Sequence, residues 1–359
     1  MTPLAEILAA RIALEGPLSV ATVMAEALSH PQFGYYMVQE PFGSDGDFIT
    51  APDISQMFGE LLGLWLGAVW LSMGAPARVD LVELGPGRGT LMADARRALG
   101  RVPGFPLERP VHLVETSARL RAIQTATIGA AVTHHDHVAG LPDDAALLVL
   151  ANEFFDALPI RQFAFTPGGF HERMVGLDES GALAFGLAPT PFDPGLLPRH
   201  ERPSPGDILE WSPASCDIAR LLGERLAAQG GAALLIDYGA SHLGFADTLQ
   251  AVRRHRYADV LTTLGEADLT AHVNFAHLAR SAESGGARAY GPVTQGALLE
   301  ALGIATRAAR LAAANPAKSG ELARAHQRLT APDQMGSLFK ALALTHPSVP
   351  VPPAFESAP

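Results

Sequence analysis

Apolar residues recur along this chain in two rhythms, and the change from one to the other marks its elements. Residues 1 to about 30 keep helical spacing and predict two helices. The second runs from Ser19, a side chain suited to capping, to Ser29, and His30-Pro31 closes it. A glycine- and aromatic-rich loop, Gln32 to Thr50, leads into a predicted helix from Pro52-Asp53 through Leu71. From Val79 the rhythm becomes strand, glycine turn, helix, strand. Strands are expected at Val79 to Leu84, Val111 to Val114, near Ala131 to Thr133, at Ala146 to Leu150 and at Ala232 to Ile236, with a helix over Thr90 to Leu99. The run Ala146 to Leu150 is apolar throughout, as expected of a parallel strand covered on both faces. Strands alternating with helices predict an α/β fold, a Rossmann-like, doubly wound, mostly parallel sheet.

Between the fourth and fifth strands lies an insertion. Gln162 to Phe165, Phe170 to Leu177 and Ala182 to Leu187 read as short strands joined by Pro167-Gly168-Gly169 and Asp178-Glu179-Ser180-Gly181, a hairpin-like addition. A proline-rich loop, Pro189 to Pro205, and a helix through about Gln229 come next. Beyond Gly239 the pattern is mostly helical, and Pro347 to Pro359 reads as a loose tail. The expected division is an N-terminal helical and lid region at 1–75 and a core at 76–359, with the insertion at about 160–230.

Composition narrows the function. At 359 residues, 48% hydrophobic and 18% charged, the chain can bury a large core. Its net charge of -11 disfavours a nucleic-acid substrate, which needs a positive face. An acidic surface suits a small molecule or a basic segment of another protein. Cys216 is the only cysteine, which rules out an internal disulfide and fits a reducing compartment. The N-terminal helix lacks the charged start and apolar centre of a signal peptide. The longest apolar run, Leu61 to Met73, is shorter than the roughly 20 residues that span a bilayer. The expectation is a soluble, cytoplasmic protein with no membrane insertion; oligomeric state stays open.

The sharpest signal is Val82-Glu83-Leu84-Gly85-Pro86-Gly87-Arg88-Gly89-Thr90-Leu91. Glycines at a strand-to-helix turn let the backbone approach a ligand where a Cβ would collide, and the following helix aims its free N–H groups at that ligand. In dinucleotide sites the key carboxylate lies about 20 residues downstream of the glycines. Here Glu83 precedes them. That placement suits a ligand with a positive charge, such as the amino-acid end of S-adenosylmethionine (SAM), and argues against an NAD-dependent dehydrogenase. Glu115, at the end of the second strand, can accept two ribose hydroxyls or cap the next helix. Asp136 comes after the third strand and suits a purine amino group. The run Thr133-His134-His135-Asp136-His137 has no distant partner at metal-ligand spacing, so no metal is expected.

Leu150-Ala151-Asn152-Glu153-Phe154-Phe155-Asp156 is the second signal. In a helical turn, Glu153 and Asp156 would share a face. Two carboxylates can hold a guanidinium while Phe154 and Phe155 exclude water; alternatively both acids decorate a helix N-terminus. Asn152 is a further candidate for the cofactor site. Thr50 either touches the cofactor or caps the helix beginning at Pro52. The segment Gly46 to Gln56, a glycine-rich loop with aromatics ahead of the buried helix, could fold over the cofactor as a lid.

Together these segments resemble the MidA family of SAM-dependent methyltransferases, which includes bacterial proteins and the mitochondrial complex I assembly methyltransferase. The matching pieces include Gly34-Tyr35-Tyr36, Gly46-Asp47-Phe48-Ile49-Thr50, Ile54 to Glu60, Val82 to Leu91, His112 to Glu115 and Ala151 to Pro159. Further on come Glu210-Trp211-Ser212-Pro213, Ile236 to Gly239, Asp247 to Gln250 and Asp268 to Val273. Asp53 stands where the family pattern has glutamate, and the match loosens beyond Gly303. The resemblance implies a seven-strand class I methyltransferase core. Glu83, Gly85, Pro86, Gly87 and Gly89 would cradle the methionine end of SAM, and Glu115 its ribose. It further implies methylation of a protein arginine, on a respiratory complex I subunit in the mitochondrial branch. From the residues themselves, Glu153 and Asp156 are the expected catalytic pair that holds the guanidinium. A SAM-binding assembly factor that grips a partner without catalysis is the alternative.

Overall fold

The computed structural model describes residues 1–39, 50–193, 195, 202–242 and 244–356. Of the segment Gly46 to Gln56, expected as a lid, residues 46–49 lie outside them. The chain divides into two compact units: the described residues of Met1–Phe48, Asp156–Cys216 and His242–Ala276 form one, and Ile49–Phe155, Asp217–Ser241 and His277–Pro359 the other.

The larger unit is built on seven strands: β1 (Val79–Leu84), β2 (Val111–Val114), β3 (Val132–His135), β4 (Ala146–Asn152), β5 (Gly231–Ala240), β6 (Arg288–Thr294) and β7 (Phe339–Thr345). Their order is β6-β7-β5-β4-β1-β2-β3. The first five run parallel, while β7 pairs antiparallel with both β5 and β6. Residues 79–84 and 147–152 are buried at every position, the acids Asp80 and Glu83 included, so these largely apolar strands are covered on both faces. Because the first five strands are parallel, their carboxyl ends share one edge, which is where doubly wound sheets place their ligands.

Two helices cover part of this sheet: α1 (Gln56–Ser72) and α2 (Thr90–Leu99). Their close approach needs glycine, since a Cβ on Gly63 would stand 2.4 Å from the carbonyl oxygen of Ala95. Phe58, Leu62, Trp65 and Leu66 of α1 are fully buried, each such side chain contributing about 1.5–3 kcal/mol by leaving water. On the same helix, buried Glu60 is neutralised from three directions. Arg97 donates to Oε1 (3.1 Å), and Arg307 donates to both oxygens (3.0 and 2.7 Å). Gln56 adds a bond at 3.2 Å. Burial pushes the Glu60 carboxyl up, but the two arginines outweigh it and hold its pKa below the usual value.

The smaller unit packs helices Pro3–Glu15 and Val20–Ser29 with two antiparallel sheets. Ser19 caps the second helix, accepting from Thr22 N–H at 3.1 Å, as expected. Strands Arg161–Thr166, Gly169–Leu177, Leu183–Pro191 and Ile208–Trp211 form one sheet, joined by the two-residue strand Leu18–Ser19. The expected hairpin is therefore part of a five-stranded sheet. Gln250–Arg253, Arg256–Ala258 and Asp268–Thr270 form the other. Leu4, Leu8, Met24, Leu264 and Leu269 are buried in one apolar cluster here.

Three expectations are corrected. The helix predicted from Pro52 to Leu71 is two, Ala51–Ile54 and α1, because Ser55 is extended (φ -164°) and its hydroxyl caps α1 by accepting from Met57 N–H at 3.2 Å. Beyond Gly239 the chain is not mostly helical, since it supplies β6, β7 and the three-stranded sheet. The described residues of the tail are docked rather than loose: Val349 and Phe355 join the core, and Trp65 Nε1 donates to the carbonyl of Pro353 at 3.1 Å. Among the described residues, no helix is long and apolar enough to cross a membrane.

Candidate active site

The ladders of the sheet continue one residue past the strand ends and fix the residues found there. Gly85 N–H donates to Val114 O (3.1 Å), Glu115 N–H to His135 O (3.0 Å) and Glu153 N–H to Ile236 O (3.0 Å). Gly85 adopts φ +61°, and a Cβ there would stand 2.7 Å from Cδ2 of Phe154. Only glycine takes this turn without strain. Gly89 (φ +83°) precedes α2, and its N–H closes the turn on the carbonyl of Pro86 at 2.7 Å.

Glu83 lies beneath this turn, 2% exposed. Met92 N–H, in the first turn of α2, bonds its carboxylate. Its Oε2 is buried and, among the described residues, has no hydrogen-bond partner. Burial pushes the Glu83 carboxyl well above the usual carboxylate range. Asn152, at the end of β4, donates from Nδ2 to Glu153 Oε1 (3.0 Å), while its buried Oδ1 likewise has no partner among the described residues. Buried polar groups are nearly always bonded, so two orphaned acceptors at one sheet edge ask for a donor that the protein does not supply.

Glu115 is anchored through both oxygens. Oε1 accepts Ser117 N–H (2.8 Å) and Oε2 accepts Gln124 Nε2 (3.0 Å). Burial raises its pKa, and these bonds oppose the rise. Asp136 is exposed and pairs with Arg121 at 2.6 Å. Thr50 precedes the short helix Ala51–Ile54 and gives it no side-chain cap; its hydroxyl donates instead to Asp53 at 3.3 Å. Asp53 in turn accepts Arg88, inside the glycine turn, at 2.8 Å. His134 and His135 are committed to Gln124 and His112, each at 3.0 Å.

The chain from Glu153 to Asp156 is not the helical turn expected from its spacing. Glu153 sits at φ +51°, and the residues after it form bends and turns. Besides its N–H bond to Ile236, side-chain contacts hold this strained residue: its Oε1 accepts Ala51 N–H (3.2 Å) and Asn152 Nδ2 (3.0 Å). Asp237 holds the next two residues, its Oδ2 accepting the N–H groups of Phe154 (3.2 Å) and Phe155 (2.9 Å). Asp156 begins the smaller unit's central segment, where its carbonyl accepts Ala271 N–H at 3.0 Å. There the Tyr36 hydroxyl donates to both oxygens of buried Asp268 (3.1 and 3.2 Å). Burial, then Asp268 and Asp156, lift the Tyr36 pKa well above its usual value.

An orphaned carboxyl under a glycine turn fits an ammonium-bearing cofactor, and the comparisons with known proteins name one. The sequence profile of a family of putative S-adenosyl-L-methionine-dependent methyltransferases matches residues 61–293. The chain belongs to this family. Two curated relatives are the rat and human proteins named "Protein arginine methyltransferase NDUFAF7, mitochondrial". They are 37% and 36% identical to this chain; each match covers 96% of it, and 84% and 83% of the relatives. The fold matches a likely methyl transferase from Burkholderia thailandensis bound to S-adenosyl-homocysteine, with a TM-score of 0.85 and 28% identity over 99% of this chain and 95% of that one. The class I methyltransferase architecture and the SAM cofactor are thus those the sequence indicated.

Gln124, Asp237 and the Tyr36–Asp268 pair were not assigned roles from sequence. Asp237 carried a signal, an acid at a strand end before Tyr238-Gly239. Gln124 carried none.

Proposed function

We propose that this methyltransferase acts on an arginine side chain of another protein, with a respiratory complex I subunit as the first candidate. The observation that carries the reading is Glu153. It is a non-glycine residue held in the left-handed region at the cofactor edge, and such strain collects where function needs it. The names of the relatives support the arginine.

In this reading Glu83, Gly85, Pro86, Gly87 and Gly89 hold the methionine end of SAM. Glu115 accepts the ribose hydroxyls, Asp136 the purine amino group, and Asn152 and Thr50 line the rest. When bound, SAM supplies a methyl group activated on a sulfonium. Glu153 orients the attacking guanidinium nitrogen by a charge-assisted hydrogen bond. Asp156 draws the arginine's positive charge, beside Asp268 and Tyr36. The C–N bond would form as the C–S bond breaks, with the surplus proton passing from the product nitrogen to water. Most of the gain comes from positioning and from the water-excluding rings of Phe154 and Phe155. The single cysteine fits a reducing compartment, and the proposal locates the protein in the cytoplasm.

The test is methyl transfer from labelled SAM to candidate complex I subunits, with the modified residue read by mass spectrometry. Label on arginine, lost in Asp156→Asn while SAM binding persists, supports the reading. Transfer to another residue type overturns the arginine assignment. No transfer to any partner, with SAM still bound, returns the non-catalytic assembly factor.

A further inference from the structure

Gln124 lies in the middle of a helix, Ala118–Ile128, and is completely buried. Its amide is engaged on every side. Nε2 donates to the carbonyl of Gly87 (2.8 Å) and to Oε2 of Glu115 (3.0 Å), while Oε1 faces His134 Nε2 at 3.0 Å. Because Oε1 can only accept, the network puts a proton on Nε2 of His134 and fixes which way the amide points. One side chain thereby ties together the glycine turn, the carboxylate after β2 and the end of β3. The same stretch of helix backs the turn closely: a Cβ on Gly89 would stand 3.3 Å from the Cα of Gln124.

We infer that Gln124 is a positioning residue that aims the Glu115 carboxylate at the ribose and sets its distance from the glycine turn. This rests on the proposed role of Glu115 as the ribose acceptor. Glutamine is the side chain the geometry requires. Both atoms that Nε2 meets are acceptors, so a carboxylate at position 124 would repel Glu115 and Gly87 together. An aliphatic side chain would leave two partly buried acceptors without this donor. The backbone N–H groups of Ser117 and Thr116 would then hold Glu115 without the side-chain donor on Oε2, and the plane of its carboxylate could turn away from the ribose edge.

The test compares two ligands by calorimetry, S-adenosylhomocysteine and its 2′,3′-dideoxy analogue, and reads the ratio of their affinities. The wild type should favour the ribose ligand by on the order of 30-fold, as expected for hydroxyls bonded to a charged group. Glu115→Gln should collapse that ratio. In Gln124→Leu the ratio should fall to within about 3-fold, chiefly through weaker binding of the ribose ligand. A merely structural role would weaken both ligands alike and leave the ratio unchanged, which would overturn the inference while Glu115 kept its role. No preference in the wild type would remove the Glu115 reading and this inference with it. If Gln124→Leu shows no cooperative thermal transition, His134→Ala removes the bond to Oε1 from a partly exposed position. It should lower the ratio part of the way, and an unchanged ratio there overturns the inference too.

Discussion

Glu60 and Glu83 are both buried glutamates in the same unit, 7% and 2% exposed, and the protein treats them in opposite ways. On the helix face around Glu60, two arginines and a glutamine satisfy the carboxylate, and its pKa is held down. At the carboxyl edge of the sheet, Glu83 has, among the described residues, one backbone donor, no cation and an orphaned oxygen, and its pKa is pushed up. The first arrangement ties helices together. The second keeps an unsatisfied acceptor where a cationic ligand group would complete it, which is how a binding site differs from a structural ion pair.

The largest effect should come from Gly85→Val, which forces a β-branched residue into φ +61° against Phe154. SAM affinity should fall by about 100-fold or more, with the circular dichroism spectrum retained. Intact binding would remove the turn from the site.

Glu83→Gln should separate binding from stability. Affinity for SAM should drop by roughly 10- to 100-fold through loss of a charge-assisted bond. Stability of the cofactor-free protein should move the other way. Since folding raises this pKa above its ordinary value of 4.5, the stability it contributes is complete below that value and lost as pH rises through the folded one. The wild type should therefore melt progressively lower as pH rises above 4.5, and the variant should not share that decline. An equal decline in both would contradict the raised pKa of Glu83.

Glu60→Gln should do the reverse. Breaking the pair should cost on the order of 1–3 kcal/mol, less than a fully buried pair because both arginines are partly exposed. The melting temperature should fall by a few degrees while SAM affinity stays within about 3-fold. A large loss of affinity would erase the contrast with Glu83. The smallest effect belongs to Asp136→Asn at its exposed site, a change in affinity of about 3-fold or less; a larger loss would give Asp136 a central place in purine recognition.

The sequence was most readable where one rule acted alone. β1, β2 and α2 lie at the residues their apolar patterns predicted, because parallel strands covered on both faces and an amphipathic helix leave plain traces. β7 escaped because Phe339-Lys340-Ala341-Leu342-Ala343-Leu344 is rich in helix-forming residues; pairing with β5 and β6 on its two sides overrides that preference. The acids of the second motif stand three residues apart, but the helical spacing expected between them is not real, since Glu153 takes a left-handed conformation that no local pattern announces. Gln124 was invisible for a different reason. Its partners Gly87, Glu115 and His134 are 37, 9 and 10 residues away and meet it only in the folded sheet.

The central claim is that the carboxyl edge of the sheet is a SAM site whose missing donor is the ligand's own ammonium. Calorimetric titration of the wild type with SAM at neutral pH, with NAD as the control, tests it most directly. The account predicts saturable binding of one equivalent of SAM and none of NAD, and binding of SAM at least about 10-fold weaker in Glu83→Gln. Failure to bind SAM, or undiminished affinity in the variant, would contradict it.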